Sequence, residues 1–489
     1  MRRVVLGGGI AGVCCAEELC RLLPDDDVTI VSASAVLKGV ENVVHLTRNI
    51  EEFLVVERDL HTLPYKNLRV VQGTAKSLDT QAKVLALASG ENVSYDQLCI
   101  CVGARPKVLG SSDYVLTLRD TQSVEDLCTR LAGARRVVVV GNGGIALETI
   151  QGLGGMEVIW VLKHGHIGDA FFDIDAAQFL LDELRKGRSG QQGSCIGKQM
   201  SEDDQDAGKG RGAPEQERPV QGPGPAAGSA RQGWPRVPHG HAVGPKWTSA
   251  LPSRAAAPQV TLEPNAIVGS IRQPADARSP WPVEVELTSG RSYGADLVVC
   301  AIGVEPVTDW LPAEIERAGD GGLVVDREMR TSADGVWAAG DVCSAGWAAE
   351  ESQQWFQMRL WTQARVMGAY AGRCMAGMAD ELQCGFNFEL FTHVTRFFGK
   401  KVILLGLYNG QKLEGERKED LIAYSRATEG DDSSFVRVVL LRGRMQGAVL
   451  IGDTGLEEAF ENVILDGIDL SQFGPRILDP DIEFDHIFD

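Results

Sequence analysis

Apolar residues in this 489-residue chain come in short blocks, and two of those blocks run straight into glycines. The first, RVVL at 3–6, leads into Gly7-x-Gly9-x-x-Gly12 and then a stretch of helix formers, Ala11–Leu23, with no breaker. VTIV at 28–31 follows at the distance expected of a second strand, which completes a βαβ unit. The second block, VVVV at 137–140, leads into Gly141-x-Gly143-x-x-Ala146, then Glu148 on the predicted helix and VIWVL at 158–162 as the next strand. In each unit the first glycine permits a tight turn and the second lets the backbone approach a pyrophosphate. The third position, glycine or alanine, lets helix pack closely on strand. The helix N-terminus then aims free N–H groups and a positive dipole end at phosphate. Two such units in one chain predict two dinucleotide sites with two-electron traffic between them.

Three later blocks repeat a strand that ends in glycine: LCICVGARP (98–106), LVVCAIGVEP (297–306) and VWAAGDVC (336–343). Their order predicts an α/β fold of two Rossmann-like dinucleotide-binding domains, the first split by the second. The boundaries read from the pattern are 1–113 and 295–385 for the first domain and 114–294 for the second. A C-terminal α/β interface domain takes 386–489, with strands at VILLGLY, FVRVVLL and GAVLIG, a helix near 456–466 and an acidic tail. Residues 187–258 break the pattern, with 13 Gly and 9 Pro among 72 positions. Composition of that kind is typical of disordered segments, so an unstructured insertion is expected between a helix at 174–186 and a strand at 259–263.

The blocks ending at Gly103-Ala104-Arg105, Gly303 and Gly340-Asp341 resemble, in order and spacing, the ATG-like and GD motifs of FAD- and NAD(P)H-dependent pyridine nucleotide-disulphide oxidoreductases. VVVVGNGGIALE (137–148), FFD (171–173), QMRLWTQAR (357–365), FELFTHVTRFF (388–398) and GAVLIGDTGLEEAFEN (447–462) narrow the likeness. They are similar to those of the domain-containing protein 1 family within that superfamily, a class-I-like flavoprotein family. The likeness covers nearly the whole chain except about 187–258, where GPKW at 244–247 is the only stretch that matches. It implies FAD as resident cofactor and NADH or NADPH as hydride donor, with Asp341 holding the FAD ribityl chain. Cofactor contacts are expected from Gly7, Gly9, Ile10, Ala11, Gly12 and Ser32, from Gly103, Ala104 and Arg105, and from Gly340 and Asp341. In the second unit they are expected from Gly141, Gly143, Gly144, Ile145, Ala146 and Glu148, and from Gly303. Lys38, Arg359 and Trp361 match regions that approach the flavin. The likeness further implies slow NAD(P)H oxidation in oxidative-stress defence, residence in nucleus and cytoplasm, and protection of the tRNA-splicing ligase as a protein partner.

Composition removes several other readings. With 48 basic and 67 acidic residues the net charge is −19, which argues against direct contact with nucleic acid or an anionic membrane. No apolar run approaches the ~20 residues of a membrane span, and MRRVVLGGG lacks the apolar core of a signal peptide. The 11 cysteines are scattered among apolar neighbours, as buried thiols in a reducing compartment are.

Cys15 and Cys20 copy the CxxxxC spacing of a redox disulphide. On a helix, however, five residues mean a rise of ~7.5 Å and side chains that diverge. Cys99 and Cys101 share a strand face but are extended by ~6.6 Å. No CxxC and no His-Pro-Thr-x-x-Glu motif occurs, so no thiol relay is expected. His393 and His486 read as structural, and no metal site is expected. Two departures stand out. Where an acid usually ends the second strand, the first unit has Ser32 and the second Leu162-Lys163, so the choice between NADH and NADPH stays open. The second reading of the chain, from another class, is a nucleotide-sensing interaction module whose flavin serves binding with little turnover.

Overall fold

The computed structural model describes the chain apart from residues 61, 191–246, 248–250, 252–257, 277, 348–352, 380–387, 431, 480–481 and 483–489, and apart from the side chains of 121 and 187–190. Most of the 187–258 insertion and of the acidic tail therefore lies outside the described residues.

The valine-rich blocks form two parallel sheets of five strands each. The first runs Val336–Ala338, Gln97–Ile100, Arg2–Leu6, Asp27–Ser32, Leu68–Gln72, every neighbour parallel. The second runs Val115–Thr117, Leu297–Cys300, Arg136–Val140, Glu157–Val161, Gln259–Glu263, again all parallel. Their central strands are buried on both faces, which is why they read as unbroken apolar runs rather than alternating ones.

Four helices belong to the chain up to residue 190: α1 (Ile10–Leu22), α2 (Thr121–Leu131), α3 (Gly144–Gly152) and α4 (Ile174–Gly190). Helix α1 stops at Leu23, just before Pro24, and is clasped between the first sheet and a later helix, Trp361–Met375. The two helices touch backbone to backbone, because a Cβ on Gly368 would lie 2.2 Å from the Ala11 carbonyl oxygen. Cys15 and Cys20 are buried on this unbroken helix, and every cysteine among the described residues is a free thiol. Cys99 and Cys101 lean together until their sulphurs are 3.5 Å apart.

One boundary differs from the sequence reading. Leu297–Cys300 was expected in the second part of the first domain, yet it pairs with Arg136–Val140 and Val115–Thr117 in the second sheet. A buried parallel strand is placed by its crossover connection, which its own composition does not encode. The second unit thus reaches past 295 to Cys300. The two chain crossings between the units, Ala104–Pro106 and Val304–Pro306, run side by side as an antiparallel ribbon.

The C-terminal region is an antiparallel sheet in the order Thr392–Phe397, Lys400–Gly406, Arg444–Ile451, Phe435–Leu441, Leu421–Ala427. The helix Glu457–Asp466 packs on one face through Phe460, Val463 and Ile464. The other face joins the main core through Val402, Leu404, Phe435 and Val449. Two of these strands were not legible in the sequence, because 392–397 and 421–427 carry mixed polar residues and are half-exposed.

Candidate active site

The two glycine turns are built alike. Gly7 and Gly141 sit at φ +125° and +132°, a region that only glycine occupies without strain. Each lies against the carbonyl of a neighbouring strand's exit, and an added Cβ would come within 2.2 Å of Cys101 O and 2.1 Å of Ala301 O respectively. Each N–H donates to the end of the second strand, Gly7 to Val31 O at 2.8 Å and Gly141 to Val161 O at 3.1 Å. Gly9 and Gly143 cap α1 and α3 with extended backbone, and no atom lies within 4 Å of a Cβ placed on either. Those open positions stand in front of a helix N-terminus, where a pyrophosphate fits. At the third position an added Cβ on Gly12 would lie 1.9 Å from Gly7 O, whereas Ala146 is accommodated and fully buried.

In front of the second turn lies a cleft of about 540 Å³. Of the residues singled out from the sequence, Gly141, Gly143, Gly144, Ile145, Glu148, Gly303, Asp341, Arg359 and Trp361 line it together. Gly340 holds φ +79° against Ala11, and this turn presents the Asp341 carboxyl to the cleft. Burial pushes that carboxyl up to about 6, against the opposing pull of Arg359 and Arg119. Arg359 donates through Nε to the Asp341 backbone carbonyl at 3.0 Å and through Nη2 to Asp320 at 2.7 Å. Trp361 opens its helix and packs near Ile10, Cys14 and Phe53. Glu148 is buried and accepts a 2.7 Å bond from the Trp247 indole, which anchors Trp247 at the cleft.

The other expected contacts lie apart from this cleft. Ile10, Ala11 and Gly12 are buried where α1 starts. The Ser32 hydroxyl turns back to Ser34 O at 3.0 Å. Lys38 donates its backbone N–H to Gly8 O at 2.9 Å, and burial lowers the pKa of its half-buried ammonium. Gly103 and Ala104 enter the crossing ribbon, while Arg105 faces outward to Glu305 at 2.7 Å and Asp309 at 3.0 Å.

The C-terminal sheet forms a wall that the sequence did not announce. His393, read there as structural, lines the cleft with Val394, Thr395 and Phe397. Phe171 of the FFD motif stands between this wall and the glycine turn: a Cβ added at Gly144 would lie 3.7 Å from Phe171 and 3.8 Å from Phe397. Lys163 and His164 follow the second strand at the rim, and His164 Nε2 lies 3.5 Å from Asp169. Among the described residues no helix is long and apolar enough to cross a membrane, and no three side chains are grouped as metal ligands.

This architecture recurs in known proteins. The family model for pyridine nucleotide-disulphide oxidoreductase matches residues 1–188 and 236–368. Pyridine nucleotide-disulfide oxidoreductase domain-containing protein 1 of Mus musculus is 40% identical over 506 aligned positions, which cover 99% of this chain and 98% of that protein. The Danio rerio protein of the same name is 41% identical, with 99% and 97% covered. Among solved structures, an NAD-dependent persulfide reductase from A. fulgidus superposes with a TM-score of 0.67 at 19% identity, over 97% of this chain and 78% of that one. The water-forming NADH oxidase of Lactobacillus brevis bound to NADH gives 0.63 at 15% identity, over 96% and 91%. With two matched glycine turns, a family model over more than half of its residues and relatives of this identity along its whole length, the chain belongs to the pyridine nucleotide-disulphide oxidoreductase family.

Proposed function

We propose that the chain is an FAD-dependent NAD(P)H oxidoreductase that works without a thiol relay. The observation that carries this reading is the pair of glycine turns of matched geometry, one of which opens on a cleft that also holds Asp341. FAD would be held at the N-terminus of α1 by the turn at Gly7–Gly9 and by Asp341, and when bound it supplies the ring that takes a hydride from the reduced nicotinamide. The rest is done by the chain. The turn at Gly141–Gly143 seats the pyrophosphate of the nicotinamide nucleotide at the start of α3. Arg359 fixes the Gly340–Asp341 turn through its backbone carbonyl. Phe171, Phe397 and Trp361 keep water from the place where the rings meet.

The absence of a relay is supported by the cleft's thiol chemistry. Cys300 is the cleft cysteine among the described residues, its Sγ donates to Lys107 O at 3.4 Å, and burial raises its pKa. A thiol so placed stays protonated, and Cys300 forms no disulphide among the described residues.

Anaerobic titration of the purified yellow protein with NADH and NADPH tests this reading. Bleaching of the flavin followed by prompt recovery in air supports turnover. A long-lived coloured complex with no recovery supports the nucleotide-sensing reading instead. Lys163 and His164 favour a 2′-phosphate and Asp169 opposes it, so comparing kcat/KM for the two nucleotides decides the preference. From the family resemblance we further infer a role in oxidative-stress defence in nucleus and cytoplasm, with the tRNA-splicing ligase as the protein it protects. Loss of ligase activity under oxidant in cells lacking the protein, restored by wild type but not by Gly143→Val, is the expected result.

A further inference from the structure

His393 sits on the first strand of the C-terminal sheet, more than 240 residues from the turn it faces. Its ring lies 6.2 Å from Phe171, with 21° between the planes. Phe171 in turn is 3.7 Å from the Cβ position of Gly144, at the start of α3. The imidazole is therefore one ring away from the nucleotide turn, on the wall it shares with Val394 and Phe397. Its Nδ1 is engaged by the Thr362 hydroxyl at 3.3 Å, and Nε2 has no hydrogen-bond partner among the described residues.

We propose that His393 recognises the nicotinamide ring, its Nε2 forming a hydrogen bond with the ring carboxamide of NAD(P)H in the cleft. The proposal rests on the NAD(P)H reading given above. A carboxamide carries both a donor and an acceptor, so it pairs with whichever tautomer Thr362 imposes. Burial lowers the His393 pKa to about 4, which keeps the imidazole neutral at pH 7. A neutral partner suits this position, because the pyridine ring becomes cationic once it has given up its hydride, and a fixed positive charge beside it would oppose that step.

The test is calorimetric binding to the oxidised holoprotein. The ligands are NAD⁺, or NADP⁺ where that binds tighter, against ADP-ribose or its 2′-phosphate, which lack the pyridine ring. His393→Phe is expected to weaken the complete dinucleotide about tenfold, the cost of one hydrogen bond, and to leave the ring-less ligand unchanged. His393→Gln, which keeps a polar group at the same reach, is expected to recover most of that loss. Equal weakening of both ligands would mean that His393 only shapes the cleft, and unchanged dinucleotide affinity would mean that it does not touch the ring. Either result overturns the proposal. If His393→Phe does not retain FAD, Thr362→Val is read by the same two criteria. Failure of wild type to bind either ligand would overturn the underlying nucleotide reading, and the proposal with it.

Discussion

Gly12 and Gly143 both belong to dinucleotide fingerprints, but their surroundings differ. A side chain on Gly12 drives into the backbone of Gly7, 1.9 Å from its oxygen, whereas one on Gly143 enters open space in front of α3. Gly12→Val is therefore expected to give colourless, poorly soluble protein. Gly143→Val should remain yellow and reducible by dithionite, yet lose reduction by NADH and NADPH alike. Reduction of Gly143→Val at the wild-type rate, followed by flavin absorbance, would remove the second turn from the mechanism. Asp341 makes a different point. Its folded pKa of about 6 lies above the ordinary value of 3.8, so the folded state holds a proton that the unfolded chain releases. Stability from this group is full below the unfolded value and falls as pH rises through about 6. Cofactor-free Asp341→Asn should accordingly melt above wild type at pH 7.5 by up to about 3 kcal/mol of stability, match it near pH 4, and bind FAD more weakly. Melting curves at the two pH values that show no such crossover would refute the assignment.

At the scale of elements, α1 is the piece on which the first site depends. It packs against the sheet through Val13, Cys15, Ala16 and Leu19, and against Trp361–Met375 through the glycine contacts. Its cysteines are small hydrophobic fillers of that interface, held as protonated thiols by burial. Cys15→Ala with Cys20→Ala should lower the melting temperature, at a cost of roughly 1–3 kcal/mol for the lost packing, while NAD(P)H-driven flavin reduction persists. A double variant that binds FAD normally but is no longer reduced by NAD(P)H would reinstate a thiol relay. The cysteine spacing taken alone suggests the opposite. What decides against it is the continuity of the helix, which the glycine turn and the lack of any breaker already foretold.

Across the whole molecule, a buried carboxylate adds to the contacts that fasten the C-terminal domain to the first unit. Glu461, 1% exposed, accepts from the Asn49 backbone N–H at 3.1 Å, from Asn49 Nδ2 at 3.0 Å and from the Thr47 hydroxyl. Glu461→Ala removes the acceptor of these half-buried donors, an expected loss of about 1–3 kcal/mol. Because the same domain supplies the His393 wall, nucleotide affinity should fall along with the denaturation midpoint. An unchanged midpoint in a urea titration would show that the clasp is dispensable.

The parallel strands, the glycine turns and the helices after them could be read from the chain because their causes are local. A positive φ admits only glycine, and a strand covered on both faces must be apolar along its length. Asp341, Arg359 and Trp361 were singled out through short motifs of the family resemblance, and the structure brings all three to one cleft. The sequence could not say that Leu297–Cys300 joins the second sheet, that Trp247 returns to Glu148, or that His393 faces the turn at Gly143. These are contacts between residues about 100 to 250 positions apart, made by domains whose docking depends on the summed shape of many side chains. Local pattern thus determined what each dinucleotide turn is, and tertiary packing alone decided which side chains stand around the cleft in front of it.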